Sequence, residues 1–363
     1  MRLYTDQDCS VQYADEIGFA FMPCIIKANG KDITSLELIM TSQGSTCKYS
    51  VDAFKTGCIM DYREYIQSFF SKDGMGYIDY TLDWDMNNLG LDISFTVKLW
   101  AGSELKINFS FTTFYVWGAM KLGETWGGPR RLVWFKHFPF SFGLYTSAAT
   151  KVLIGYDAPP NKYLDITLAG MFDVMGKVLP EHARYSIIYR YDGEIKQATF
   201  DNTFDLTFSL GDGTQEELLR IDYDDSEKGI YLRWIDRHGF YRYWLFTPME
   251  EQRAVSGNGE FLRNNLMAYG DNGYVGAYGR RQGYEREDTV TLCAPSVDSD
   301  TFEMLQDLTT SPVVDMYVSG DGSAGTDVWQ GVTIKAGTYT KTTQPLQDFS
   351  CNLVLNNTNI QKL

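Results

Sequence analysis

Residues Gly229 to Phe246, GIYLRWIDRHGFYRYWLF, form the densest aromatic run in the chain, and its apolar positions recur at every second residue. That period belongs to β-strands, whose side chains alternate between faces. Asp236-Arg237-His238-Gly239 breaks it with an acidic residue suited to opening a type I turn and a glycine where φ must be positive, so the run predicts a hairpin with a bulge at Gly239. With Asp236 opposite Phe240, the register pairs Trp234 with Arg242, Arg233 with Tyr243, Leu232 with Trp244, Tyr231 with Leu245 and Ile230 with Phe246. One face carries Ile230, Leu232, Trp234, Trp244 and Phe246 around Arg242; the other carries Tyr231, Ile235, Tyr241, Tyr243 and Leu245 around Arg233. Neither face suits water, and each arginine is placed to lie over aromatic rings. The hairpin is therefore expected between two layers. One is the core of its own domain; the other is either more of that domain or a second sheet, a neighbouring subunit or a ligand.

The rest of the chain supports a β-rich protein. Of 363 residues, 15% are aromatic, including 24 Tyr and 22 Phe, beside 33 Gly and few helix-periodic stretches. This length is enough for two or three cores. The net charge of −15, with basic pairs only at Arg130-Arg131 and Arg280-Arg281, argues against direct nucleic-acid binding, which needs clustered Lys and Arg on one face. No apolar run reaches the length that crosses a bilayer, and the opening MRLYTDQDCS has no apolar signal-peptide core, so synthesis in the cytoplasm without membrane insertion is expected. Six cysteines are scattered without metal-type spacing and read as free thiols; Cys47 and Cys58 are the one pair placed to test for a bridge.

Turn signals divide the chain into four parts. Residues 1–128 form a β-rich domain in which Ile17–Ala28 and Ile33–Thr41 are expected to pair as a hairpin around Asn29-Gly30. Its one helix, at about 61–71, is capped by Asp61 and carries Tyr62, Tyr65, Ile66, Phe69 and Phe70 on one face. Leu91, Ile93, Phe95, Val97 and Leu99 alternate inward along a later strand. Residues 129–249 alternate short strands with turns in the manner of a β-sandwich and end in the aromatic hairpin. Residues 250–288 are rich in glycine and tyrosine and read as an extended arm or long loop. Residues 289–363 read as strand, helix, strand, hairpin and strand, with Ser299 or Asp300 as cap and Phe302, Leu305 and Leu308 inward. The expected class is mainly β, with β-sandwich domains and one short helix near each end.

Residues that could carry chemistry are sparse. His137, His182 and His238 have no partner at ligand or triad spacing, and no nucleophile, zinc or phosphate-loop motif occurs. Asp79, Asp83 and Asp85 alternate along YIDYTLDWDMN and, on one strand, would share a face as paired acids of a glycosidase do; the same face reads equally as the solvated side of a strand. Asp222, Asp224, Asp225 and Glu227 offer hard oxygens to Ca²⁺ without the spacing of an EF-hand, and GDGSAGTD at 320–327 resembles a single calcium-repeat turn; a solvated acidic turn and a hairpin tip are the simpler readings. Trp100, Trp117, Trp126 and Trp134, with Phe114 and Tyr115, would make a glycan platform if exposed and core if buried. No catalytic residue, cofactor or metal is assigned. The candidate assembly surface consists of Tyr231, Arg233, Tyr241 and Tyr243 on the hairpin with Tyr269, Tyr274, Tyr278 and Tyr284 in the arm, because tyrosines give contact area at little entropic cost.

Several stretches together resemble a family of tail-associated structural proteins of bacteriophages and prophages of gut bacteria: FAFMPCIIKANG followed by REYIQSFF, the VWGA and RRLVWFKHFPF segments, YLRWIDRHGFYRYWLF, and an ending of LTTSP, VWQGVTI and NIQKL. The resemblance implies a non-enzymatic virion component, a β-rich distal-tail or baseplate subunit that forms a homo-oligomeric ring with other tail proteins. The other class considered is a β-sandwich adhesin that holds a bacterial surface glycan.

Overall fold

The computed structural model describes residues 1–6, 8–55, 57–71, 75, 77–121, 124, 126, 131–155, 163–178, 185–191, 194–200, 203–210, 215–263, 278–319 and 328–355. The fold is mainly β, as expected. The N-terminal part contributes β1 (Arg2–Asp6), β2 (Cys9–Tyr13), β3 (Ile17–Phe19), β4 (Ile25–Asn29), β5 (Ser35–Ser42), β6 (Ser45–Asp52), β7 (Gly57–Asp61), α1 (Arg63–Phe69), β8 (Trp84–Met86), β9 (Gly90–Ala101) and β10 (Glu104–Val116). Two sheets, β1-β2-β4-β7 and β3-β10-β9-β5-β6, share one core. Val11, Ile26, Ala28 and Met60 enter it from the first; Leu36, Leu38, Met40, Ile93, Phe95, Val97 and Leu99 enter from the second.

The hairpin expected around Asn29-Gly30 does not form. β4 pairs with β2 and β7, whereas β5 pairs with β6 and β9 in the other sheet. Ile26 and Ala28 on one side and Leu36, Leu38 and Met40 on the other all need cover, and placing the two strands in opposite layers lets them cover one another. Helix α1 lies where its periodicity put it, with Ile66 and Phe69 buried. Tyr62 holds the capping position, and Asp61 Oδ1 accepts from the N–H groups of Arg63 and Cys24, both at 3.1 Å.

The remaining elements are β11 (Arg131–Phe135), β12 (Ser141–Gly155), β13 (Tyr163–Met175), β14 (Tyr185–Tyr191), β15 (Glu194–Phe200), β16 (Thr203–Leu210), β17 (Gln215–Asp224), β18 (Ile230–Ile235), β19 (Tyr241–Arg263), β20 (Tyr278–Val297), α2 (Ser299–Leu308), β21 (Val314–Ser319), β22 (Val328–Gly331), β23 (Thr333–Ile334) and β24 (Gln347–Leu355). Small sheets β11-β17-β16, β12-β13-β8 and β14-β15 precede a seven-stranded sheet ordered β22-β21-β18-β19-β20-β24-β23. That sheet runs through the divisions expected at 249 and 288, because β19 hydrogen-bonds to β20 along most of its length. The second core also takes Ile78, Tyr80 and Leu89 from before residue 128, and β8 pairs with β13, so packing does not divide at that boundary either. Helix α2 is capped one residue earlier than Ser299: Asp298 has extended backbone, and its Oδ1 accepts from the Thr301 N–H at 2.8 Å. Phe302, Met304, Leu305 and Leu308 are buried beneath it.

Candidate functional site

The aromatic hairpin is β18 and the first part of β19, in the register its sequence predicts: Ile230↔Phe246, Tyr231↔Leu245, Leu232↔Trp244, Arg233↔Tyr243 and Trp234↔Arg242. At the turn, Asp236 Oδ1 accepts from the N–H groups of His238 and Phe240, both at 2.9 Å, and Oδ2 accepts from Arg242 Nε at 2.6 Å. Gly239 has φ +80°, and a Cβ there would stand 2.5 Å from Val116 Cγ1 of the N-terminal sandwich. The tip is thus a plug between the two halves. Ala119 N–H donates to Arg237 O at 2.6 Å and Trp126 Nε1 to His238 O at 3.0 Å, while Phe240 packs with Phe114, Val116 and Met171.

Both faces of the hairpin are covered by the chain itself. On one, Phe246, Phe349 and Phe302 form a chain of rings beneath α2, with centroids 6.4 and 5.5 Å apart. On the other, Arg233 is 5% exposed, donates to Asp315 Oδ2 and Tyr80 Oη at 2.9 Å each, and lies 4.3 Å from the centroid of Trp329. Tyr243, 3% exposed, hydrogen-bonds through its hydroxyl to Tyr80 at 2.9 Å and Ser141 at 2.6 Å. Burial alone would weaken the Arg233 charge, yet Tyr80, Tyr243 and Asp315 hold its pKa above the ordinary arginine value. This corrects half of the expected assembly surface. Tyr231, Arg233, Tyr241 and Tyr243 are buried in this chain's own core because Tyr80, Phe138, Phe140, Tyr317 and Trp329 reach them first.

The other candidates are dispersed. Asp79, Asp83 and Asp85 do not line one strand, since only Trp84–Met86 is extended there: Asp79 accepts from the N–H and hydroxyl of Thr81, and Asp83 faces Lys177 at 3.8 Å. Asp85 is paired in register with Asp173, which lies on β13 and is buried. Burial and the Asp85 charge push Asp173 up to about 7, against the Asn87 amide that donates to its Oδ2 at 2.9 Å. His137 faces Asp225 and Glu227 at 3.3 Å each; no group of side chains among the described residues is arranged to hold a metal. Burial keeps His238 below the ordinary histidine value despite Asp236 and Glu124. Arg237 pairs with Glu124 and with Asp307, whose carboxyl burial raises to about 6. Trp134, Phe114 and Tyr115 are buried, and Trp100, Trp117 and Trp126 are half-buried, so the tryptophans do not form a platform. All six cysteines are free, Cys47 and Cys58 included. His182 and the segment 320–327 lie outside the described residues. A groove of about 400 Å³ opens between Asp6, Asp8, Asp32 and Glu104, with Lys31 and Lys106 on its wall.

What sequence periodicity missed is the length of β19 and β20. β18 leaves β19 at Phe246, and β24 leaves β20 at Asp288, but the two continue as a pair to Arg263↔Tyr278. From Arg253↔Asp288 outward this is a two-stranded ribbon reaching about 34 Å at ~3.4 Å per residue. Its strand signal is polar and short: Arg253 and Val255 alternate with Ala254 and Ser256, and Tyr284 and Arg286 with Glu285 and Glu287 on the return. Residues 250–257 are exposed, Val255 is 56% and Tyr284 42% exposed. Of the expected arm tyrosines, Tyr278 opens β20, Tyr284 lies on the ribbon, and Tyr269 and Tyr274 fall outside the described residues. A comparison of the sequence with protein-family models found no match. A comparison with curated proteins found none.

Proposed function

We propose that the protein is a non-enzymatic structural subunit of a bacteriophage tail, a distal-tail or baseplate component that associates with further copies and with other tail proteins. The observation that carries this reading is the ribbon. A globular body that already covers its greasiest hairpin still extends two strands well beyond the last strand that shields them. An isolated two-stranded ribbon is at best marginally stable in water, so an extension of this length calls for a partner to lie on. The resemblance of the hairpin, the REYIQSFF helix and the C-terminal segments to tail-associated proteins supplies the kind of assembly.

The test is composition of particles. Phage or prophage particles induced from the organism that encodes the chain are purified and probed by mass spectrometry and by gold-labelled antibody against it. Label at the tail tip is the expected result; particles free of the chain overturn the reading. Turnover of a glycan by the purified chain, lost in Asp85→Asn, would overturn its non-enzymatic part.

A further inference from the structure

The register of the ribbon sorts its charges by face. Directly opposed residues share a face, so Arg253 and Asp288, Val255 and Arg286, and Gly257 and Tyr284 lie on one side, while Ala254 and Glu287, and Ser256 and Glu285, lie on the other. The backbone register continues beyond them to Arg263↔Tyr278. The first side is aromatic and basic, with Asp288 held between Arg253 and Arg286. The second is mainly acidic; Lys335 reaches Glu287 at its base at 2.6 Å.

The basic side also continues a covered one. Val290 and Leu292, two and four residues past Asp288 on β20, are buried in the core. The irregularity in β19 between Pro248 and Glu251 brings Val255 round to that same side. The side of the sheet on which α2 packs through Phe302 and Phe349 therefore runs on past the body, through the half-buried Asp288 and Arg286 to Val255 and Tyr284, 56% and 42% exposed.

We propose that the partner of this side is a second copy of the same chain, which lays the acidic back of its own ribbon on the basic front. The inference rests on the assembly reading above and gives it a surface, a partner and a symmetry. A chain of net charge −15 repels its copies over most of its surface, and the ribbon's front is where that repulsion reverses. Two basic fronts do not stack, so the contact joins unlike faces. Such a contact is heterologous and propagates from copy to copy into a ring or filament, rather than closing as a two-fold dimer.

The test is complementation between two variants of the full chain, read by light scattering over a concentration series at low and at high salt. Arg253→Glu with Arg286→Glu makes both faces acidic; Glu285→Lys with Glu287→Lys makes both basic. Wild type is expected to associate at low salt and to dissociate as screening increases. Each variant alone is expected to be monomeric, and an equimolar mixture to associate at least tenfold more tightly than either. Circular dichroism checks that both stay folded, and the second variant keeps the test alive if the first loses its ribbon. A wild type that stays monomeric, a variant that associates like wild type, or a mixture of folded variants that stays monomeric overturns the inference. A monomeric wild type found in tail particles would overturn the self-contact alone; a self-associating chain absent from particles would overturn the tail reading alone.

Discussion

Tyr241–Phe246 and Glu251–Gly257 belong to one strand, β19, and live under opposite conditions. The first stretch pairs with β18 and is covered on both faces, by Phe349 on one side and by Tyr80, Phe140 and Trp329 on the other. Among the described residues, the second pairs with β20 alone. Where apolar residues occupy both faces, the chain folds back on itself to cover them. Where charged residues alternate with single apolar ones, it leaves the pair of strands in water. The comparison separates what holds the body together from what is left for a partner.

Breaking the covered half should cost most. Arg233→Ala removes the partner of Asp315 and of the Tyr80 hydroxyl in a buried site, and a loss of about 3–5 kcal/mol in urea unfolding is expected. A loss under 1 kcal/mol would mean that the network does not hold the hairpin against the Tyr80 segment.

Asp173 sharpens the comparison through pH. Its folded value of about 7 lies above the ordinary 3.8, so between those limits the folded chain binds more protons than the unfolded one. The contribution is fully present below the unfolded value and is lost as pH rises through 7, to an extent of up to about 4 kcal/mol. Asp173→Asn, which keeps a partner for Asn87 and removes the charge facing Asp85, should flatten this slope and leave the chain more stable than wild type at pH 8. Equal slopes for the two proteins would refute the shift.

At the turn, Gly239→Ala combines a positive φ with a collision against Val116, and should cost about 1–3 kcal/mol. Replacing residues 254–287 by Asn-Gly closes β19 and β20 at Arg253↔Asp288 with a two-residue turn and should change stability by less than about 0.5 kcal/mol. A large loss on that shortening would mean that the ribbon belongs to the body's core.

The hairpin was legible because three local signals agreed: alternation, the Asp-x-x-Gly turn, and paired residue types across the register. Leu91–Leu99, α1 and the inward face of α2 were legible for the same reason. The pairing of β4 was not, since an Asn-Gly turn signal says where a chain bends and nothing about which sheet receives it. Nor was the burial of Tyr231 and Tyr243, which depends on Tyr80 and Trp329, residues 151 and 98 positions from Tyr231 in the chain. The ribbon escaped because its alternation is of charge, and glycine and tyrosine read as a loop. Asp85 and Asp173 meet only through the β8–β13 register.

Hydrogen exchange along β19 tests the division most directly, measured on the full chain at high dilution and again under associating conditions. Amides of Tyr241–Phe246 should be strongly protected in both. Those of Glu251–Gly257 facing away from β20 should exchange rapidly when dilute and slow on association. Equal protection of the two stretches at high dilution would contradict the account, since it would show that the ribbon is already covered within a single chain.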